Sequence, residues 1–220
     1  MDLNFLFKIL PLLLEGAKMT VLLTVLAIFF GSILGLISAL FRLSRFKVLN
    51  GISWFYTWSI RGIPLIVQLF IWYFGLPSLG IELSAFTAGV CALSVCEGAY
   101  ISEIIRGGIT SINKGQNEAA LSIGMTSWQS MRRIILPQAI KVVVLPFGNE
   151  CITAMKDTAL VSVISLVELM RKATILDATY VRSMEIYVTA AVIYLIMTSS
   201  IMVIIYLLSK KFNLRGEYSR

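Results

Sequence analysis

Residues Met19 to Leu40 read MTVLLTVLAIFFGSILGLISAL, without one charged side chain. A helix needs about 20 largely apolar residues to cross the hydrocarbon core of a bilayer. A helix of a soluble protein would interrupt such a run with a polar face. The stretch is therefore read as a membrane span, and it makes the chain an all-α membrane protein. Four more stretches meet or approach the same length: about 52–74, about 84–105, about 138–155 and about 186–208. The segment Leu3 to Leu14 is too short to cross and contains Lys8 and Pro11, so it is expected to lie at the interface. The first residues carry Asp2 and no basic cluster, so they do not read as a cleaved leader.

The whole composition agrees with a bilayer solvent. Of 220 residues, 58% are hydrophobic and 14% charged, whereas a soluble domain carries about a quarter charged. The formal net charge of +7 is then a matter of orientation rather than a sign of nucleic acid, and no nucleic-acid partner is expected. Arg42, Arg45 and Lys47 follow the first span. Arg106, Lys114, Arg132, Arg133 and Lys141 flank the segment between the third and fourth, and Lys210, Lys211, Arg215 and Arg220 follow the fifth. The opposite side carries Asp2, Glu15, Glu82, Glu168, Asp177 and Glu185. The positive-inside rule then places the C-terminus in the cytoplasm and the N-terminus outside, with five crossings between them.

The sequence also removes chemistry. It has no histidine, so the commonest general base and metal ligand are absent. Cys91, Cys96 and Cys151 form no CxxC pair and read as packing thiols. A phosphate-cradling GxxxxGK[ST] loop is missing, so any use of ATP belongs to another chain. No catalytic residue and no metal site are assigned.

The segment of about 110–136 is long for a connection between spans and reads as two short helices. Asn113 is a candidate N-cap, Ala119 and Ala120 favour helix, and Gly124 suits a turn with positive φ. A second helix is expected from about Ser127 to Pro137. Such a knob suits docking to a soluble partner, although a plain connector has the same composition.

Glu118-Ala119-Ala120, Gly124 and Ile134-Ile135-Leu136-Pro137 match the EAA-x3-G-x9-I-x-LP signature of ABC importer permeases. Arg61-Gly62-Ile63-Pro64-Leu65, Ala99-Tyr100-Ile101-Ser102-Glu103, Gly148-Asn149-Glu150 and Lys156-Asp157-Thr158-Ala159-Leu160 likewise resemble the polar amino-acid branch of that family. The resemblance implies a multi-pass subunit of the bacterial cytoplasmic membrane, in contact with lipid, that pairs with an identical or related permease. It further implies an ATPase dimer that binds ATP and Mg, and an extracytoplasmic amino-acid-binding protein. Glu118, Ala119, Ala120 and Gly124 would form the ATPase-coupling knob, and residues 1–220 a single transmembrane domain.

Substrate sites in transporters lie where helices break near the midplane. Two breaks are expected, at Arg61-Gly62-Ile63-Pro64 and at Leu145-Pro146-Phe147-Gly148-Asn149. A carboxylate at the bilayer centre costs about 2.5 kcal/mol or more, so it should face a partner or a wet cavity. Glu97 and Glu150 are such residues, with Tyr100 and Thr153 three positions on. The candidate substrate-binding set is Arg61, Gly62, Pro64, Glu97, Tyr100, Asn149, Glu150 and Thr153, and Lys156 with Asp157 is a gate or an anchor. Arg61 has three readings: a carboxylate ligand, a partner of Glu97, or a snorkelling side chain. Glu103 and Arg106 read as a local ion pair, and Trp54, Trp58, Trp72 and Tyr73 as packing and interface anchors. Cys96-Glu97-Gly98 departs from the small or amide residues usual in the family before the Ala-Tyr pair, which makes the site more acidic. A cationic amino acid such as arginine, lysine or ornithine is favoured, with a cystine or glutamine-like substrate as the alternative. A secondary transporter or channel would need no knob, and a membrane enzyme would need a nucleophile and base that are not visible.

Overall fold

In the computed structural model, residues 3–211 are described, and Asp2, Arg215 and Arg220 lie outside them. Most of this range is helical, with short connections between the helices and no strand among the described residues. The helices are α1 (Leu3–Arg42), α2 (Lys47–Gly62), α3 (Leu65–Phe70), α4 (Ala85–Thr110), α5 (Lys114–Ser122), α6 (Ser127–Ser130), α7 (Leu136–Asp157), α8 (Leu169–Tyr180) and α9 (Ser183–Lys211). Four helices are long and apolar enough to cross a bilayer, or five when α2 and the bent segment after it count as one span.

The N-terminal segment departs from expectation. Leu3 to Leu14 is no separate interfacial piece, because α1 is one helix of 40 residues, about 60 Å long at 1.5 Å per residue. Phe5, Ile9, Leu13 and Ala17 recur every four residues and pack on Leu169, Ala173 and Leu176 of α8 and on Ile186, Ala190 and Ile193 of α9. This apolar stripe draws the segment into the bundle. Pro11 withholds one bond from the carbonyl of Phe7, whose residue is exposed.

The centre is the contact of α1 with α4. A Cβ on Gly31 would stand 2.9 Å from the Cβ of Glu97, and one on Gly35 would stand 2.8 Å from Ile101. Such spacing lets two backbones approach closely, as in small-xxx-small pairs of membrane helices. The matching order of the contacts, 31 to 97 and 35 to 101, makes the two helices parallel. Below this contact, Ser102 Oγ donates to Ser38 Oγ at 3.0 Å and Ser53 Oγ lies 2.9 Å from the same oxygen. This buried hydroxyl cluster ties α2 to α1 and α4.

The break expected at Arg61–Pro64 is present as a 101° bend between α2 and the segment Leu65–Leu79. Ile63 is extended, as the residue before a proline must be. Gln68 secures the corner: its Nε2 donates to the carbonyls of Ile60 and Ile63, both at 2.9 Å, and so satisfies acceptors that the bend frees. The break expected at Leu145–Asn149 is absent. α7 passes through Pro146 without interruption, since one lost bond costs less in a bilayer than an opened turn of backbone.

Glu168, one of the acids counted on the side opposite the basic loops, is fully buried. Its carboxyl caps α8 by accepting from Met170 N and Arg171 N, each at 2.7 Å, and from the Tyr194 hydroxyl at 3.2 Å. Burial pushes this carboxyl above its ordinary range, while these donors and the Thr20 hydroxyl pull the other way.

Candidate functional site

The knob is built by local rules. Asn113 Oδ1 accepts from Gly115 N at 2.8 Å and starts α5. Gly124 closes it at φ +84°, where a Cβ would be strained. Thr126 and Gln129 then form a reciprocal capping box for α6. Ser130 Oγ donates to Asn117 Oδ1 at 2.7 Å and locks α6 against α5. Glu118, Ala119 and Gly124 are exposed, whereas Ala120 is buried inside the knob. Ile123 and Trp128 are 73% and 70% exposed, an apolar tip that the sequence pattern did not single out.

The second short helix does not stop at Pro137 as expected. α6 runs through a π turn at Met131–Ile135 directly into α7. The wide turn moves the Arg133 carbonyl out of the path of the Pro137 ring. One helical rod, Ser127–Ile164, thus carries the knob at one end and the candidate site further along.

On that rod Glu150, Thr153 and Asp157 share a face, at i, i+3 and i+7. Glu150 and Asp157 lie near enough to Glu97 of α4 to act on it electrostatically. Glu97 is 1% exposed, and its Oε2 has no hydrogen-bond partner among the described residues. A buried carboxyl close to two others is repelled by them unless a proton or a cation joins them. Tyr100, one turn beyond Glu97, stands beneath the Arg61 guanidinium, whose carbon lies 5.2 Å from the ring centroid. Of the three readings of Arg61, pairing with Glu97 is not found, since no ion pair joins them among the described residues. The structure thus brings Arg61, Glu97, Tyr100, Glu150 and Asp157 together around the α4–α7 contact.

The other candidates stand as follows. Asn149 and Thr153 are exposed on α7, Thr153 donating to the Asn149 carbonyl at 3.2 Å. Gly62 and Pro64 are exposed at the bend, and Lys156 is exposed in the last turn of α7. Glu103 and Arg106 form the expected ion pair, at 2.6 Å. No group of three or more His, Cys, Asp or Glu side chains able to hold a metal occurs among the described residues.

Comparison with known proteins places this arrangement. Residues 31–214 match the family described as binding-protein-dependent transport system inner membrane component. The chain belongs to this ABC permease family. Among permeases of the family, the L-cystine transport system permease protein TcyB of Bacillus subtilis is 44% identical over 84% of this chain and 79% of its own length. The arginine transport system permease protein ArtQ of the same organism is 42% identical over 85% and 86%. A crystal structure of an amino acid ABC transporter with histidines superposes with a TM-score of 0.91 at 42% identity, over 96% of this chain and 99% of that one. The chain is a polar amino-acid ABC permease with an all-α membrane fold.

Proposed function

We propose that the chain is the permease subunit of an ATP-driven importer for a cationic amino acid of the arginine, lysine or ornithine type. The observation that carries the substrate class is the buried Glu97, whose Oε2 has no hydrogen-bond partner among the described residues, close to Glu150 and Asp157 at the α4–α7 contact. A protonated amine or guanidinium placed there relieves the repulsion and forms charge-assisted hydrogen bonds. Arg61, held on Tyr100, would take the α-carboxylate.

The chain works with an ATPase dimer that holds ATP and Mg, with a second identical or related permease, and with an extracytoplasmic binding protein. It sits in the lipid of the bacterial cytoplasmic membrane, N-terminus out and C-terminus in. Glu118, Ala119 and Gly124 face the ATPase, and Ala120 supports them from inside the knob. Movement of the knob passes along the rod Ser127–Ile164 to Glu150 and Asp157, roughly 35–45 Å away at helical rise. The carboxyl cluster would be exposed in turn to each side. Lys156 and Asp157, in the last turn of α7, are placed to gate the far end. The similarity to the cystine permease favours a second reading, in which a substrate with two ammonium groups uses the same carboxyls.

Reconstitution of the chain with its ATPase and binding protein tests this. Uptake of labelled lysine is expected to need ATP and to be competed by arginine and ornithine, not by glutamine. Uptake unchanged without ATP contradicts the importer. Competition by glutamine or cystine, with none by arginine, contradicts the cationic substrate.

A further inference from the structure

Arg61 borders more than the carboxyl cluster. The face of α2 that carries Trp54, Thr57, Trp58 and Arg61, at helical spacing, lines a cavity of about 370 Å³ together with Arg42 and Glu103. This volume lies within the range of small-ligand sites, roughly 300–1,000 Å³. Because α1 and α4 run parallel, Arg42 and Glu103 lie toward the end where α4 leads into the knob. The cavity therefore extends from Arg61 toward the coupling end.

Its walls have a definite chemistry. Arg42 Nη1 donates to Asn50 Oδ1 at 2.6 Å while Asn50 Nδ2 donates to the Arg42 carbonyl at 2.6 Å, which fixes this guanidinium. Glu103 Oε2 takes both bonds from Arg106, at 3.0 and 2.6 Å, and its other oxygen has no hydrogen bond among the described residues. Trp54 and Trp58 stack with centroids 5.7 Å apart and planes 8° apart, presenting flat indole faces. Arg61 has no ion-pair partner among the described residues. Arg61 stands at the bend of a candidate span, where a guanidinium is costly unless it serves a wet or charged site.

We propose that this cavity is a second amino-acid station, between the carboxyl cluster and the coupling end. Arg42 and Arg61 hold the α-carboxylate; Glu103 and the Trp54–Trp58 pair hold the ammonium or a cationic side chain. Arg61 serves both stations, so a substrate leaving Glu97 and Glu150 keeps one contact as it moves. The second station is the weaker, because Arg42 and Glu103 already have partners in Asn50 and Arg106. This inference rests on the importer reading above for its substrate class.

Equilibrium dialysis of labelled lysine against the purified permease–ATPase complex tests it. The wild type is expected to show two classes of site per permease chain, the second at least tenfold weaker. Glu103→Gln and Trp54→Leu are each expected to remove the weaker class and keep the tighter, in a complex that stays monodisperse and ATPase-bound. Glu150→Gln is expected to weaken the tighter class and keep the weaker. A single class or no binding in the wild type, or two unchanged classes in Glu103→Gln, overturns the second station. A tighter class unchanged in Glu150→Gln overturns the carboxyl-cluster reading instead, and leaves the second station standing if the weaker class is still lost in Glu103→Gln.

Discussion

At the scale of single residues, the carboxyl contact dominates. A hydrogen bond to a charged group is worth about 1.5–3 kcal/mol, or roughly tenfold to a hundredfold in affinity. Glu150→Gln should therefore raise the substrate concentration for half-maximal uptake at least tenfold while the complex still assembles, as size-exclusion chromatography would show. Glu168 behaves differently. Its replacement by alanine leaves buried amides of α8 without an acceptor and should cost about 2 kcal/mol. A lowered thermal midpoint in detergent is the expected result, with Glu168→Gln between alanine and wild type because its amide nitrogen cannot accept the second backbone bond. Glu97 and Glu150 were legible as intramembrane acids because their surroundings in sequence are apolar. The role of Glu168 was not, since its donors include Tyr194, 26 positions away, and the amide after it is held by Thr20 across the fold.

At the scale of elements, the α1–α4 contact and the knob make separate predictions. Gly35→Val would drive a side chain into Ile101 and the Gly98 carbonyl. Overpacking of this kind costs about 1–3 kcal/mol, so the yield of folded protein and its thermal midpoint should fall. Gly124→Asp must place a side-chain residue at φ +84°, a strain of about 1–2 kcal/mol. It also sets a charge beside the apolar tip of Ile123 and Trp128. Co-purified ATPase, or transport per ATP hydrolysed, should drop, with substrate binding unchanged. The knob and the bend are written locally: the caps Asn113 and Thr126 lie within a few residues of what they cap, and the bend at Pro64 follows from proline itself. Leu3–Leu14 was misread because the stripe Phe5, Ile9, Leu13 finds its partners on α8 and α9, far along the chain. Pro146 was misread because a proline signals a break only where the surroundings can satisfy the opened backbone.

At the scale of the whole molecule, one rod joins a docking knob to a cluster of carboxyls, and a bent α2–α3 pair sets Arg61 beside them. Four or five spans were legible from hydropathy alone, since the bilayer imposes length and composition on each. The pairing of α4 with α7 was not, because it depends on close packing at Gly108, which meets Val143 and Ala139 of α7 too closely for a side chain. This pairing is the proposed place where a substrate cation is recognised. Uptake of arginine against citrulline, its uncharged near-isostere, measured in proteoliposomes with ATP and the partner subunits, tests that claim most directly. Wild-type complex should prefer arginine at least tenfold, and Glu150→Gln, alone or with Glu97→Gln, should abolish most of the preference. An arginine preference that survives in the double variant would contradict it.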